Sequence, residues 1–215
     1  MSSPTTAVIG PSHLHSSHLS DEDRERSYAR RGVEVIEAHP GLPVWSLRVP
    51  TFLEEQAEEG RSLVWVVADW KMNNADHAVF ASHDPQPGPI FLDTLGHVGN
   101  VSRAFMGPDH LAELARRGMR AIDEVVRRFP RVRLVFWCLY KRTRASTTSS
   151  YPRFAWYDET VARYRANVVD IDDYTTPEEF NADLVTDPAG HPSRRGHELL
   201  GDLFSSAQPN QMLEA

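Results

Sequence analysis

The sequence predicts an α/β fold: a single domain built as a three-layer α/β/α sandwich around a five-stranded parallel sheet. Three observations predict it. Short apolar runs alternate with amphipathic segments along the chain, the pattern of strands joined by helical crossovers. One run, Leu63–Asp69 (LVWVVAD), is almost continuously apolar, which marks a strand buried on both faces of a parallel sheet. The 215 residues, 40% of them hydrophobic, contain no internal repeat and no low-complexity linker, so one core of ordinary size accounts for residues 1–215.

The elements follow in order. Thr5–Gly10 (TTAVIG) is the first strand, ended by Gly10-Pro11. Asp21–Glu37, charged with a periodic apolar stripe, is predicted to be a helix. Val44–Arg48 (VWSLR) is the expected second strand, Thr51–Glu59 a short helix and Leu63–Asp69 the third strand. Asp109–Phe129 has the clearest helical period: Leu111, Leu114, Gly118, Ile122, Val125 and Phe129 recur at spacings of three and four, and Pro130 ends the run. Val132–Leu139 is the fourth strand, Tyr157–Ala166 a helix and Val168–Ile171 the last strand. Ser193–Ser206 is the terminal helix, with Ser193 as its N-cap and Leu199, Leu200, Leu203 and Phe204 as its apolar stripe. Trp45, Trp65 and Trp137 fall inside predicted strands and read as core residues. Asn74–Pro108 and Lys141–Trp156 fit no element. Both follow carboxyl ends of strands, the edge at which sheets of this class bind ligands.

Composition narrows the function. The formal net charge of −7 argues against a nucleic-acid partner, because phosphates demand a basic face. No stretch has the roughly 18 apolar residues that a bilayer span needs, so no membrane partner is expected. The N-terminal MSSPTTAVIGPSHLHSS lacks the basic and apolar regions of a signal peptide, and the expected location is the cytoplasm. The one cysteine, Cys138, has Val135, Phe136, Trp137 and Leu139 around it and reads as a buried, inert thiol.

The chemistry sits at the two ends of the chain. Ile9-Gly10-Pro11-Ser12-His13 puts a serine on the turn after the first strand, at the sheet's carboxyl edge. Gly10 is expected to permit a tight turn and a close substrate approach, and backbone N–H groups at such a turn can face an oxyanion. On its own a Gly-x-Ser turn is a weak signal, since a serine there also caps helices. At the far end, Asp187-Pro188-Ala189-Gly190-His191-Pro192-Ser193 holds a histidine beside an acid just before the terminal helix. An acid so placed fixes the imidazole tautomer and stabilises the imidazolium of a general base.

These two segments resemble the SGNH/GDSL family of serine esterases and acyltransferases. That family has a nucleophilic serine in a Gly-x-Ser turn after its first strand. It ends in an Asp-x-x-His-Pro-Ser motif followed by Gly-His and a helix. Gly10-Pro11-Ser12 and Asp187…His191-Pro192-Ser193…Gly196-His197 are similar to both, in the same order and at near-full-length separation. The resemblance implies a flavodoxin-like sheet, a catalytic Ser12, His191 and Asp187, and no cofactor or metal. It implies an oxyanion hole with an asparagine after the third strand, where Asn73 and Asn74 stand; Asn73 lies nearer the strand end. The sequence departs from the family in three places. Pro11 replaces the usual Asp. Asp187 lies four residues before His191 instead of three, an offset that Gly190 can absorb, with Asp183 as the alternative acid. The glycine expected after the second strand is replaced by Val49-Pro50-Thr51, and Pro50 has no N–H.

The implied partner is a small-molecule acyl substrate: an ester, a thioester, or a carrier-bound or CoA-type acyl donor. His13, Trp70 and Arg142 are the candidate substrate contacts. Lys141-Arg142-Thr143-Arg144 is either a solvated loop or an anion site, and Tyr151–Tyr157 either roofs a substrate or packs. His13, His15 and His18 invite a zinc site near Asp21, but only His15 and His18 would share a helical face, so no metal is expected. The alternative function is a non-catalytic α/β binding domain that retains family remnants. A nucleotide-binding domain is disfavoured because no Gly-rich phosphate loop follows the first strand.

Overall fold

Five parallel strands run through the computed structural model, which describes residues 5–14, 19–39, 42–67, 90–91, 108–137, 161–169, 171–187 and 190–206. They are β1 (Thr6–Pro11), β2 (Val33–His39), β3 (Ser62–Val67), β4 (Arg133–Phe136) and β5 (Val168–Val169). The spatial order is β2-β1-β3-β4-β5. Ile9 of β1 stands in register with Trp65 of β3, and Trp65 with Leu134 of β4. All strands being parallel, their carboxyl ends lie along one edge. The order reverses between β1 and β3, which makes that edge a topological switch point.

Helices flank the sheet: α1 (Asp21–Ser27), α2 (Arg48–Glu58), α3 (Pro108–Arg128) and α4 (Arg194–Ser205). Ion pairs Arg194–Asp23 and Arg26–Glu198 tie α4 to α1, and Arg128–Glu54 ties α3 to α2. Every residue of β1 and β4 is buried, so both faces of the central sheet are shielded from water. The core gathers Val8, Ile9, Val64, Trp65, Leu134 and Val135 from the strands. It adds Phe52, Leu53, Ile122 and Val125 from α2 and α3, and Leu200, Leu203 and Phe204 from α4. The expected N-cap of α4 is present: Ser193 Oγ accepts from Gly196 N at 3.1 Å.

The second strand is not where the sequence pattern put it. Asp21–Glu37 is not one helix. Gly32, left-handed with φ 74°, closes the turn Ala29–Arg31 and starts β2. β2 is an edge strand, and its Glu34 and Glu37, three apart in sequence, mimic the charge spacing of a helix although they lie on opposite faces of the strand. Val44–Arg48 is correspondingly not a strand. Ser46 N donates to Pro43 O and Val49 N to Ser46 O, which winds the segment into α2. Val44 and Trp45 are buried there and join the core. Pro50 fits as the third residue of α2, where a missing N–H leaves no helical bond unmade.

Smaller differences concern lengths. β4 ends at Phe136, one residue before the described Trp137, and Ile171 begins a 3₁₀ turn where the last strand was expected to end; β3 is described through Val67, and Ala68 and Asp69 lie outside the described residues. The segment expected as a helix through Ala166 is helical at 161–163 and turns at 164–167. Cys138, Lys141–Trp156 and nearly all of Asn74–Pro108 lie outside the described residues, as do the side chains of Leu111 and Leu114. No described helix is long and apolar enough to cross a membrane.

Candidate active site

Ser12 begins a short 3₁₀ turn, Ser12–Leu14, directly after β1. Leu14, 2% exposed, anchors this turn in the core. Gly10 makes room for that anchoring. It is the fifth residue of β1, and a Cβ there would stand 2.8 Å from Leu14 Cδ1 and 2.9 Å from Val66 Cβ. A larger residue would lift the turn that carries Ser12.

His191 reaches Ser12 from the other end of the chain. Between Ser12 Oγ and His191 Nε2 the distance is 3.5 Å, the outer limit of a hydrogen bond. Such contacts are often loose without substrate and tighten in the reacting complex. On the opposite side of the ring, His191 Nδ1 lies 2.7 Å from Asp187 Oδ2. The His191 backbone N–H donates to Asp187 Oδ1 at 3.2 Å. The carboxylate therefore holds both the ring and the backbone of the same residue.

Gly190 absorbs the four-residue spacing. Its N–H donates to Asp187 O at 3.0 Å, and its φ of 85° turns the chain back so that His191 faces the acid. The base of the loop is pinned on both sides. Val185 bridges Pro192 antiparallel, Thr186 N donates to His191 O at 2.8 Å, and Ser193 N donates to Leu184 O at 2.9 Å. Asp183 points elsewhere: its carboxylate pairs with Arg195 at 3.0 Å. Of the two acids, Asp187 is the one beside the histidine.

Two contacts of this loop were not legible as site features in the sequence. Trp137, the residue after β4, is buried, and its indole N–H donates to Gly190 O at 2.8 Å. The same ring packs on Phe180, with centroids 4.8 Å apart. The His13 ring, expected as a substrate contact, is stacked on His191 at 5.0 Å between centroids. His197, in the Gly196-His197 pair of the terminal motif, lies in the core away from this edge, its Nδ1 bonded by the Tyr28 hydroxyl. Burial pushes the Tyr28 phenol far above its ordinary range, so it stays protonated.

At the end of β2, His39 stands opposite Pro11 in register. Glu37 takes the Arg48 guanidinium through two nitrogens and also meets His39 Nε2. Burial pushes the Glu37 carboxyl up, but the bonds and charges of Arg48 and His39 outweigh it, and the net shift is downward. Leu42 N donates to His39 O at 3.3 Å. With β2 at Val33–His39, the glycine that follows the second strand in the sequence is Gly41, not the Val49-Pro50-Thr51 position. Gly41, Asn73, Asn74, Trp70 and Arg142 lie outside the described residues. Among the described residues no cluster of three or more His, Cys, Asp or Glu is gathered to hold a metal.

Compared with known proteins, the chain matches no protein-family model, no curated protein and no solved structure.

Proposed function

We propose that this chain is a serine-dependent hydrolase or acyltransferase of the SGNH/GDSL type, with a three-layer α/β/α sandwich and a flavodoxin-like sheet. The observation that carries the reading is the line from Asp187 Oδ2 through His191 to Ser12 Oγ, drawn from residues 179 positions apart. His191 Nε2 takes the Ser12 proton as Oγ attacks an ester, thioester or other activated acyl carbonyl. Asp187 keeps Nδ1 protonated and stabilises the imidazolium that forms. The tetrahedral oxyanion is held by the Ser12 N–H and by Asn73 or Asn74; Gly41, after the relocated second strand, supplies the third donor. Collapse expels the leaving group, which takes the proton from His191 and leaves an acyl-serine. Water then gives hydrolysis; an alcohol or amine gives transfer. Trp70 and Arg142 contact the acyl substrate, Arg142 through an anionic group of a carrier-bound or CoA-type donor. No cofactor or metal takes part.

A fluorophosphonate probe tests the proposal, because it reacts only with an activated serine. Intact mass is expected to gain one phosphonyl group, located on Ser12, and Ser12→Ala and His191→Ala are expected to gain none. Equal labelling of Ser12→Ala, or no labelling of the wild type, would leave the chain as a non-catalytic binding domain.

A further inference from the structure

His13 stands next to the nucleophile in sequence and over the base in space. Its ring and that of His191 have centroids 5.0 Å apart and planes inclined by 20°. Stacked rings at this separation attract one another beyond the area they bury. His191 has need of such a contact. Its side chain is 37% exposed and that of Asp187 is 41% exposed, so water competes for the bond between them. A single bond at Nδ1 fixes one corner of the ring and leaves the plane free to pivot about it. The 3.5 Å contact to Ser12 is too loose to stop that pivot. A face contact is the kind of restraint that does.

We propose that His13 is a positioning residue for His191: its stacked ring holds the imidazole plane on the line between Asp187 and Ser12. For its kinetic consequence the proposal rests on the acyl-serine reading above; the stack itself is independent of it. The 3₁₀ turn Ser12–Leu14 thereby aims both members of the pair, the nucleophile through Ser12 and the base through the ring of His13. Leu14 seats the turn and sets both at once. The role requires a flat ring at position 13 and makes no use of the His13 nitrogens, so phenylalanine can fill it and alanine cannot.

The test compares the wild type with His13→Phe and His13→Ala by two readouts. The first is the ¹H–¹³C NMR signal of the His191 Cε1–H group. A ring-current shift is expected in the wild type and in His13→Phe, and its loss is expected in His13→Ala. The second is the fluorophosphonate labelling of Ser12, resolved into a limiting rate and a half-saturation concentration. Released among staggered side-chain wells, the ring spends roughly a third of its time or less in line. The limiting rate of His13→Ala is therefore expected to fall on the order of three- to tenfold, with little change in half-saturation. His13→Phe is expected to recover most of that loss. A His13→Phe variant as slow as His13→Ala would overturn the proposal in favour of a chemical role for the imidazole. A raised half-saturation with an unchanged limiting rate would overturn it in favour of a substrate contact. Absence of the NMR shift in the wild type would overturn it outright. Absence of wild-type labelling would instead overturn the acyl-serine reading, while the NMR shift still reports the stack.

Discussion

The indole N–H of Trp137 donates to the carbonyl of Gly190 at 2.8 Å, joining the end of β4 to the loop that carries Asp187 and His191. Gly190 is the left-handed residue that turns His191 toward its acid. A buried donor at the sheet therefore sets the geometry of a pair of side chains that are themselves half-exposed.

Trp137→Phe keeps the ring packing on Phe180 and removes only that donor. Leaving a buried carbonyl short of its partner costs about 1–3 kcal/mol. Thermal unfolding is expected to shift down by that amount, and Ser12 labelling to slow further than the stability loss explains, because His191 loses its registration. An unchanged labelling rate would mean that the loop holds itself.

Asp187→Asn is expected to slow labelling of Ser12 strongly. An amide nitrogen facing Nδ1 favours the wrong tautomer and gives the imidazolium no countercharge. The loss should be smaller than in His191→Ala. Asp183→Asn removes only an exposed partner of Arg195, a contact worth about 0–1 kcal/mol, and labelling should continue at the wild-type rate. Labelling lost only in Asp183→Asn would transfer the acid role.

Gly196→Ala tests the seat of α4. A Cβ at Gly196 would stand 2.1 Å from Leu184 O, so the helix must move away from the loop base that Leu184 and Ser193 close. Overpacking at a backbone contact costs about 3 kcal/mol or more. For a chain of this size that lowers the melting temperature by roughly 6–12 °C, measurable by calorimetry.

Acid stability should depend on Glu37. Arg48 and His39 hold its folded-state pKa below the ordinary value of 4.5, so the carboxylate binds fewer protons in the folded than in the unfolded chain. That contribution is fully present above the ordinary value and is lost as pH falls below it through the lowered one. Melting temperatures measured from pH 6 to pH 3 should fall more steeply for the wild type than for Glu37→Gln. Parallel curves would show that the Arg48 and His39 contacts carry no linkage.

Much of the candidate site was legible before any coordinates. Ser12 after an apolar run and His191 beside an acid ahead of a helix are local patterns, and the structure brings them to one edge. The strands β1, β3 and β4 were legible because strands buried on both faces carry uninterrupted apolar runs, as in Leu63–Val67. β2 was not. As an edge strand it keeps Glu34 and Glu37, and its charges at a spacing of three imitate a helix. The Arg30-Arg31-Gly32 stop signal, read as a C-terminal cap, was the clue to its start. Misplacing β2 also misplaced the glycine that follows it in sequence, which is Gly41 and not a residue of Val49-Pro50-Thr51.

The sequence by itself determined the α/β class, the apolar runs of the core and the two residues, Ser12 and His191, that meet at the sheet edge. Each of these is written in local residue order: periodicity, apolar runs, and motifs a few residues long. Only the tertiary structure decided that Asp187 rather than Asp183 meets the histidine, that Trp137 holds Gly190, and that His13 lies on His191. These contacts join residues distant in sequence, or depend on a left-handed turn and a ring orientation that residue order does not encode. Local pattern names the groups; which faces they present to one another is set by how the strands and loops close around them.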